Sequence, residues 1–340
     1  MSERLRFSYL APVFSELRVP EFRDRSRFVS TIDGLSFDES VIATYSADYK
    51  LNISLIEAPR YLARALSSYD REPLGMTRRG FQLALKFTFS SIYPGDEACS
   101  QQFDIGNSTH GHIEWWRYWV DDQAQSVLRK FIISSQIAWP YSRPPMDFFR
   151  FENQKLIRHQ NVAFSPLIGA YPEAEDSAYE YLENIDILQV AAFVFGNRSR
   201  PYSDRIQKLI AYLSYMFTKN NGDARKAQII WSCAALEAFY AIGASRRSEE
   251  LRQNLPTFLS LDAKSVRRDV SKIYKRRSKF LHGNERLQSL FDYEDMGSND
   301  EKEYRDTNIA VFFAMETLRK IVNDDLHDVD FGRVMKTSKT

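Results

Sequence analysis

The hydrophobic pattern changes period along this chain, and that change constrains the fold more than any other feature. Between Gly80 and Tyr93 the residues Phe81, Leu83, Leu85, Phe87 and Phe89 fall at every second position, which predicts a half-buried strand. Pro94-Gly95-Asp96 follows as a turn. From Glu173 onward the apolar spacing is helical almost to the end. Together these patterns predict an α+β chain: an N-terminal mixed α/β, aromatic-rich domain followed by an all-α one. Gly196 to Pro201 carries turn chemistry, and the boundary is placed there. Residues 1–200 form the N-terminal domain, with a sensor or regulatory role, 201–332 the helical domain and 333–340 a tail. Phe7 to Phe14 and Val41 to Ile56 read as strands or short helices, so a β-rich sandwich stays open for the first 200 residues.

Composition limits the partners. A formal net charge of +1 gives no global attraction to nucleic acid or membrane, so an electrostatic partner must be held by a local patch. The two cysteines, Cys99 and Cys233, make neither a disulfide framework nor a cysteine zinc site. The longest apolar runs, such as Val190 to Phe195 and Ile309 to Met315, fall well short of the roughly 20 residues that span a bilayer. Met1 to Leu17 has no continuous apolar core of a secretion signal. The expectation is a cytoplasmic protein with no membrane partner.

Two N-terminal stretches carry candidate chemistry. On a strand, His110, His112 and Glu114 would share a face that could hold a metal. No helical His-x-x-x-His pair or further ligand cluster supports this, and the reading is a polar strand edge beside Trp115, Trp116 and Trp119 with no metal. Asp121 to Ala138 reads as an amphipathic helix with Val127, Leu128, Phe131, Ser135 and Ala138 near one stripe. Tyr141 to Phe151, with Pro144-Pro145, is a loop or extended segment whose aromatics pack onto their own domain.

The C-terminal helices run from Glu173 to Phe195, from Asp204 to Lys219 with Ser203 as N-cap, from Asp223 to about Ala244, and from Arg246 to Leu259 with an interruption at Pro256. Asp262 caps a helix that ends at His282, and Asn299-Asp300 opens the last one. The helix after Asp262 has an oddity. Its stripe of Val266, Val270 and Ile273 continues by four residues to Arg277. A guanidinium there is costly unless it is paired or lines a cleft. Ala227, Ile230, Ala234, Ala238 and Ala241 form the buried face of the helix after Asp223, and Glu237 lies beside Ala234 and Ala241. Glu237 and Arg277 are therefore expected to face each other, or else each to carry its charge out to solvent along its stem.

Between Lys264 and Lys279 lie eight Lys or Arg residues and one acid, Asp269. That basic surface suits a phosphate backbone, with Arg268, Lys272, Lys275, Arg276 and Lys279 as candidate RNA contacts. Arg277 and His282 stand about 140° apart around the helix axis, and unwinding at Gly283 would let them converge. Such a pair suits RNA cleavage without a metal. A neutral imidazole takes the proton of a 2′-hydroxyl, and an arginine stabilises the charge that builds on the phosphorus oxygens. The leaving oxygen needs an acid as well, and two copies of the site in a symmetric homodimer would supply it. The acidic stretch Asp292, Glu294, Asp295, Asp300, Glu301 and Glu303 could lie over the basic helix until displaced.

Tyr274-x-x-Arg277-Ser278-x-x-x-His282-Gly283, with Ala235-Leu236-Glu237-Ala238-Phe239 upstream, resembles the HEPN superfamily and within it the Apea-like branch. The resemblance covers about residues 203–326. It implies an antiparallel helical bundle that dimerises with the motif at the interface, and no cofactor. It implies a metal-independent endoribonuclease of prokaryotic defence, abortive infection or toxin–antitoxin type, with RNA as substrate and an antitoxin or a phage-derived trigger as possible partner. Arg277 and His282 would be catalytic, with Glu237, Ser278 and Tyr274 supporting them. Ser278 departs from the Asn, Asp or His that many members carry. The competing reading is a non-catalytic RNA-binding or protein-interaction module. A phosphate-transfer enzyme in residues 1–200 lacks a Gly-rich phosphate loop and a paired-Asp motif.

Overall fold

In the computed structural model of the chain, the described residues are 4–13, 36–37, 49–69, 83–93, 95–97, 111–140, 147–161, 170–182, 185–195, 202–216, 224–241, 247–282 and 299–331. The strands are β1 (Arg4–Val13), β2 (Ser36–Phe37), β3 (Tyr49–Glu57), β4 (Leu83–Ile92), β5 (Asp147–Glu152) and β6 (Lys155–Asn161). They form one antiparallel sheet in the order β2-β3-β4-β1-β5-β6. Register follows the alternating pattern: Phe7 pairs with Phe89 and Tyr9 with Phe87, while Leu51 and Ile53 lie opposite the same two phenylalanines. Helix α2 (His112–Ala138) covers this face, where the Phe131 ring meets Phe87 edge to face. Helix α1 (Arg60–Tyr69) covers the other, where Leu62 and Ala65 join Leu10, Ala84 and Phe149 in one buried cluster. The β4 strand is thus buried on both faces rather than one, since Ala84 and Thr88 are buried along with Leu85, Phe87 and Phe89.

Several expectations for the first half are corrected. His112 and Glu114 stand on α2, not on a strand, and on a helix they no longer share a strand face with each other. His110 lies outside the described residues. No group of three or more potential metal-ligating side chains gathers among the described residues. The expectation of a loop or extended segment over Tyr141 to Phe151 agrees with its described part: residues 147–151 are extended in β5, which pairs with β6 through a two-residue turn at Asn153 and Gln154, both at positive φ. The aromatics Phe148 and Phe149 are buried in the cores of the two faces, so they are packing residues.

The described chain falls into two compact units. One comprises residues 1–135, 142–163 and 191–197; the other comprises 136–141, 164–190 and 198–340. The second unit thus draws in residues that precede the boundary expected at Gly196 to Pro201, a stretch outside the described residues. Its helices are α3 (Ala170–Asp176), the first four residues of α4 (Ile187–Phe195), α5 (Asp204–Met216), α6 (Ala224–Tyr240), α7 (Arg247–Leu259), α8 (Ala263–Leu281) and α9 (Asn299–Asn323). The centre is α9, which is buried without a break from Thr307 to Arg319. No helix among the described residues is long and apolar enough to cross a membrane.

Helix ends explain where the sequence pattern misleads. The single helix expected over Glu173 to Phe195 is two, because Ala178 adopts φ 57° and Tyr179 N–H bonds Ala174 C=O at 2.9 Å. That is a Schellman stop with alanine in the place that glycine usually holds. Ser260 (φ 57°) and Asp325 (φ 49°) end α7 and α9 in the same way. Pro256 does not interrupt α7; it sits inside the last turns of the helix, and its carbonyl accepts the closing bond from Leu261 N–H. Ser203 holds the N-cap position of α5 by its backbone, with its carbonyl accepting from Gln207 N–H. Its hydroxyl is buried without a hydrogen bond, so the expected side-chain cap is not made.

Candidate active site

Helix α8 starts where Asp262 caps it: the carboxylate accepts from Ser265 N–H at 2.7 Å, and these bonds hold the acid below its usual range. Val266, Val270 and Ile273 are buried in line. One step further, Arg277 is the residue that the pattern makes anomalous, and its side chain is 24% exposed. It donates from Nη1 to Oε1 of Glu237 on α6, which is only 8% exposed. The second carboxylate oxygen of Glu237 has Arg247 Nη1 at 3.8 Å. The costly guanidinium is therefore paired, as the spacing predicts, and the buried acid is shared between two cations.

The face of α6 that surrounds Glu237 differs from expectation. Ile230, Ala234, Ala238 and Ala241 are half-buried, whereas Ile229, Ser232, Cys233, Ala235, Leu236, Phe239 and Tyr240 are buried. The core face carries Ile229, Leu236, Phe239 and Tyr240 together with the small Ser232, Cys233 and Ala235, and the expected stripe forms its flank. Cys233, one turn before Glu237, has its thiol pushed up to about 12 by burial, with Arg277 opposing and Glu237 adding to the shift. Tyr274, one turn before Arg277, has its phenol pushed up by burial and by the negative charge of Glu237. The Arg277 guanidinium lies 5.9 Å from the Tyr274 ring centroid. Glu237, Arg277 and Tyr274 thus form one cluster, which Cys233 and Arg247 complete from positions without any motif of their own.

His282 and Ser278 belong to a different surface. Both are exposed, and His282 N–H closes the last turn on Ser278 C=O at 3.0 Å. Helical geometry keeps Arg277 and His282 about 140° apart within one chain, and the helix is regular through Leu281. Leu281, the residue before His282, is 56% exposed. Gly283 and the acids at 292–298 lie outside the described residues.

The basic surface also divides. Arg268 and Lys272 are both paired with the buried Asp269, at 3.1 Å and 3.3 Å. Tyr179 fixes the acid from the segment after α3 by donating its hydroxyl at 2.8 Å. Burial alone would push the Asp269 carboxyl up, but hydrogen bonds from Arg268 and Tyr179 and the charges of Arg268 and Lys272 hold it below its usual range. Arg276 lies near Asp306 of α9, whose carboxyl burial raises while Arg276 and Lys272 oppose. Lys275 and Lys279 are exposed on the side of His282.

A second buried ionic group escaped the sequence reading. Arg319 is fully buried and bonds Glu316, which also accepts from Tyr171 hydroxyl at 2.7 Å and Leu182 N–H at 3.1 Å. It ties the segment after α3 to α9. Its sequence signal is the pair Glu316 and Arg319 inside an otherwise apolar helix, the same anomaly that exposed Arg277. Comparison of the chain with family models, with curated proteins and with solved structures returns no match, so the geometry and the motif carry the functional reading.

Proposed function

We propose that this protein is a metal-independent endoribonuclease effector of a prokaryotic defence or toxin–antitoxin type system. Its helical unit acts as an HEPN-like domain of the Apea-like kind, and it works in the cytoplasm as a homodimer. The observation that carries the reading is the Arg277–Glu237 pair: a cation placed on the core stripe of α8 and held by a buried carboxylate. A guanidinium anchored through Nη1, with its Nε buried, leaves its Nη2 donors for a scissile phosphate, and fixed donors aimed at developing charge are the largest single contribution in such reactions. Glu237 and Tyr274 are positioning residues, and Ser278 lies on the turn that leads to His282. His282, exposed at the helix end, takes the 2′-hydroxyl proton as general base. Attack of the 2′-oxygen on phosphorus then displaces the 5′-oxygen, which takes its proton from the imidazolium of the second copy. The products are a 2′,3′-cyclic phosphate and a free 5′-hydroxyl. The angle between Arg277 and His282 within one chain makes a two-chain site the natural arrangement, and the exposed Leu281 offers an apolar contact for it.

The same angle favours a second reading, a non-catalytic RNA-binding or protein-interaction module in which the Arg277–Glu237 pair is structural. Induced wild type is compared with Arg277→Lys and His282→Ala for RNA integrity, for growth, and for cyclic-phosphate ends on the fragments. Fragments with these ends from wild type only support the nuclease. Equal behaviour of the three folded proteins, with and without phage challenge, removes it.

A further inference from the structure

Two arginines from different helices approach Glu237, and they are not equivalent. Arg277 of α8 donates to Oε1, and its side chain is mostly buried. Arg247, the first residue of α7, holds Nη1 at 3.8 Å from Oε2, and its side chain is 55% exposed. That separation is too long for a hydrogen bond. Among the described residues Arg247 makes no hydrogen bond, and Glu237 is the one acid it meets. Its donors are therefore uncommitted. The needs of the fold do not account for it: Arg277 already bonds the acid, and a pair that is half open to water at this distance adds little to stability. Two guanidinium groups against one carboxylate leave a surplus of one positive charge. Tyr274 and Cys233 do not cancel it, since burial pushes both of their pKa values up and keeps them neutral.

We infer that Arg247 is a substrate-binding residue outside the Arg-to-His motif, and that it closes with Arg277 on one phosphodiester of the RNA. The inference rests on the nuclease reading and adds to its site a second phosphate ligand from a different helix. The two groups divide the work. Arg277 is held by the buried carboxylate and offers Nη2 from a fixed position. Arg247 is tethered only by a long ion pair, so it can leave Oε2 for an incoming anion at small cost. A guanidinium fork matches the non-bridging oxygens of a phosphate, and two forks can take one oxygen each. Charge also favours a pair. The phosphodiester brings one negative charge, and attack by the 2′-oxygen adds a second on the phosphorane. One arginine balances the charge present on binding, and the other balances the charge that builds in the reaction. Arg247 should therefore matter more for the rate than for affinity.

The test uses the full-length protein and a labelled 2′-O-methyl oligonucleotide, which binds but cannot react because its 2′-oxygen is blocked. Affinity is measured by fluorescence anisotropy for wild type, Arg247→Gln, Arg247→Lys, and Arg247→Gln combined with Glu237→Gln. Lys208→Gln, on α5 and as exposed as Arg247, controls for the loss of any surface cation. Arg247→Gln is expected to weaken binding about tenfold. Arg247→Lys keeps the charge but not the fork and should cost about threefold, and Lys208→Gln less than about twofold. The loss from Arg247→Gln should persist in the Glu237→Gln protein, because the contact is with RNA and not with the acid. Cleavage of unmodified RNA by Arg247→Gln should slow about 100-fold. Circular dichroism checks folding, and Arg247→Lys carries the test if Arg247→Gln does not fold. Affinity and rate unchanged by Arg247→Gln, a loss no larger than that of Lys208→Gln, a loss that vanishes in the Glu237→Gln protein, or no binding by wild type overturns the inference. The nuclease reading fails separately. Arg247-dependent binding without cleavage would remove the nuclease and leave the phosphate contact, and His282-dependent cleavage that ignores Arg247→Gln would do the reverse.

Discussion

Exchanging Arg277 and Glu237 for methionine, singly and together, probes the energetic logic of the site. Breaking a fully buried ion pair by removing one partner costs about 3–5 kcal/mol, because the remaining charge is left uncompensated. Two features of the structure reduce that figure. Arg277 is 24% exposed, so it can turn to water when Glu237 is lost. Arg247 stands 3.8 Å from the carboxylate, so Glu237 keeps a cation when Arg277 is lost. A cost of about 2 kcal/mol for each single variant follows. With both replaced, no buried charge is stranded and an apolar contact fills the space, so the double variant is expected to be close to neutral rather than to cost about 4 kcal/mol, a coupling of up to about 4 kcal/mol. Hydrogen exchange of peptides from α6 and α8 under increasing urea reads this locally, without assuming that a chain of two units unfolds in one step. Additivity within about 0.5 kcal/mol would refute the argument that the pair is what makes a cation tolerable on this stripe.

Four further outcomes follow from the same geometry. Glu237→Gln, which keeps shape and removes charge, is expected to slow RNA cleavage by about 100-fold through misplacement of the guanidinium, with RNA affinity in the anisotropy assay changed less than about twofold; an equal loss in both would mean that Glu237 does not act through orientation. Asp269 titrates below its usual range when folded, so its stabilising contribution is present above the unfolded-state value and is lost as pH falls through the lower folded one. Protection of α8 should therefore weaken below about pH 4, and Asp269→Asn should weaken it at neutral pH and flatten that acid dependence. Tyr171→Phe removes a bond to the buried Glu316 and should lower stability by about 1–2 kcal/mol in chemical denaturation, while Arg319→Ala, which strands Glu316, should cost about 3–5 kcal/mol. Cys233, buried with its thiol pushed up to about 12, should resist a thiol reagent at pH 8 in folded Cys99→Ser protein and react once urea is added; rapid reaction in the folded protein would contradict the packing of α6.

The sequence by itself determined what depends on local spacing. Alternation from Phe81 to Phe89 marked a strand, Asp262 marked a helix start, and a cation on the stripe of Val266, Val270 and Ile273 pointed to a buried acid partner, found at Glu237. Period and capping are properties of consecutive residues, so they are legible without a fold. Tertiary structure decided the rest. Ala178 ends a helix where no glycine warned of it, because packing of Tyr171, Tyr179 and Leu182 against α8 and α9 outweighs the cost of a left-handed alanine. Ile229, Leu236 and Phe239, not the alanine stripe, line the core of α6, since volume and not only period decides which face is filled. The charge of α8 reads from sequence as one basic run, and only the fold shows which acids it meets. Arg268 and Lys272 pair with Asp269 of their own helix, but Tyr179, 90 residues away in the chain, fixes where that acid points.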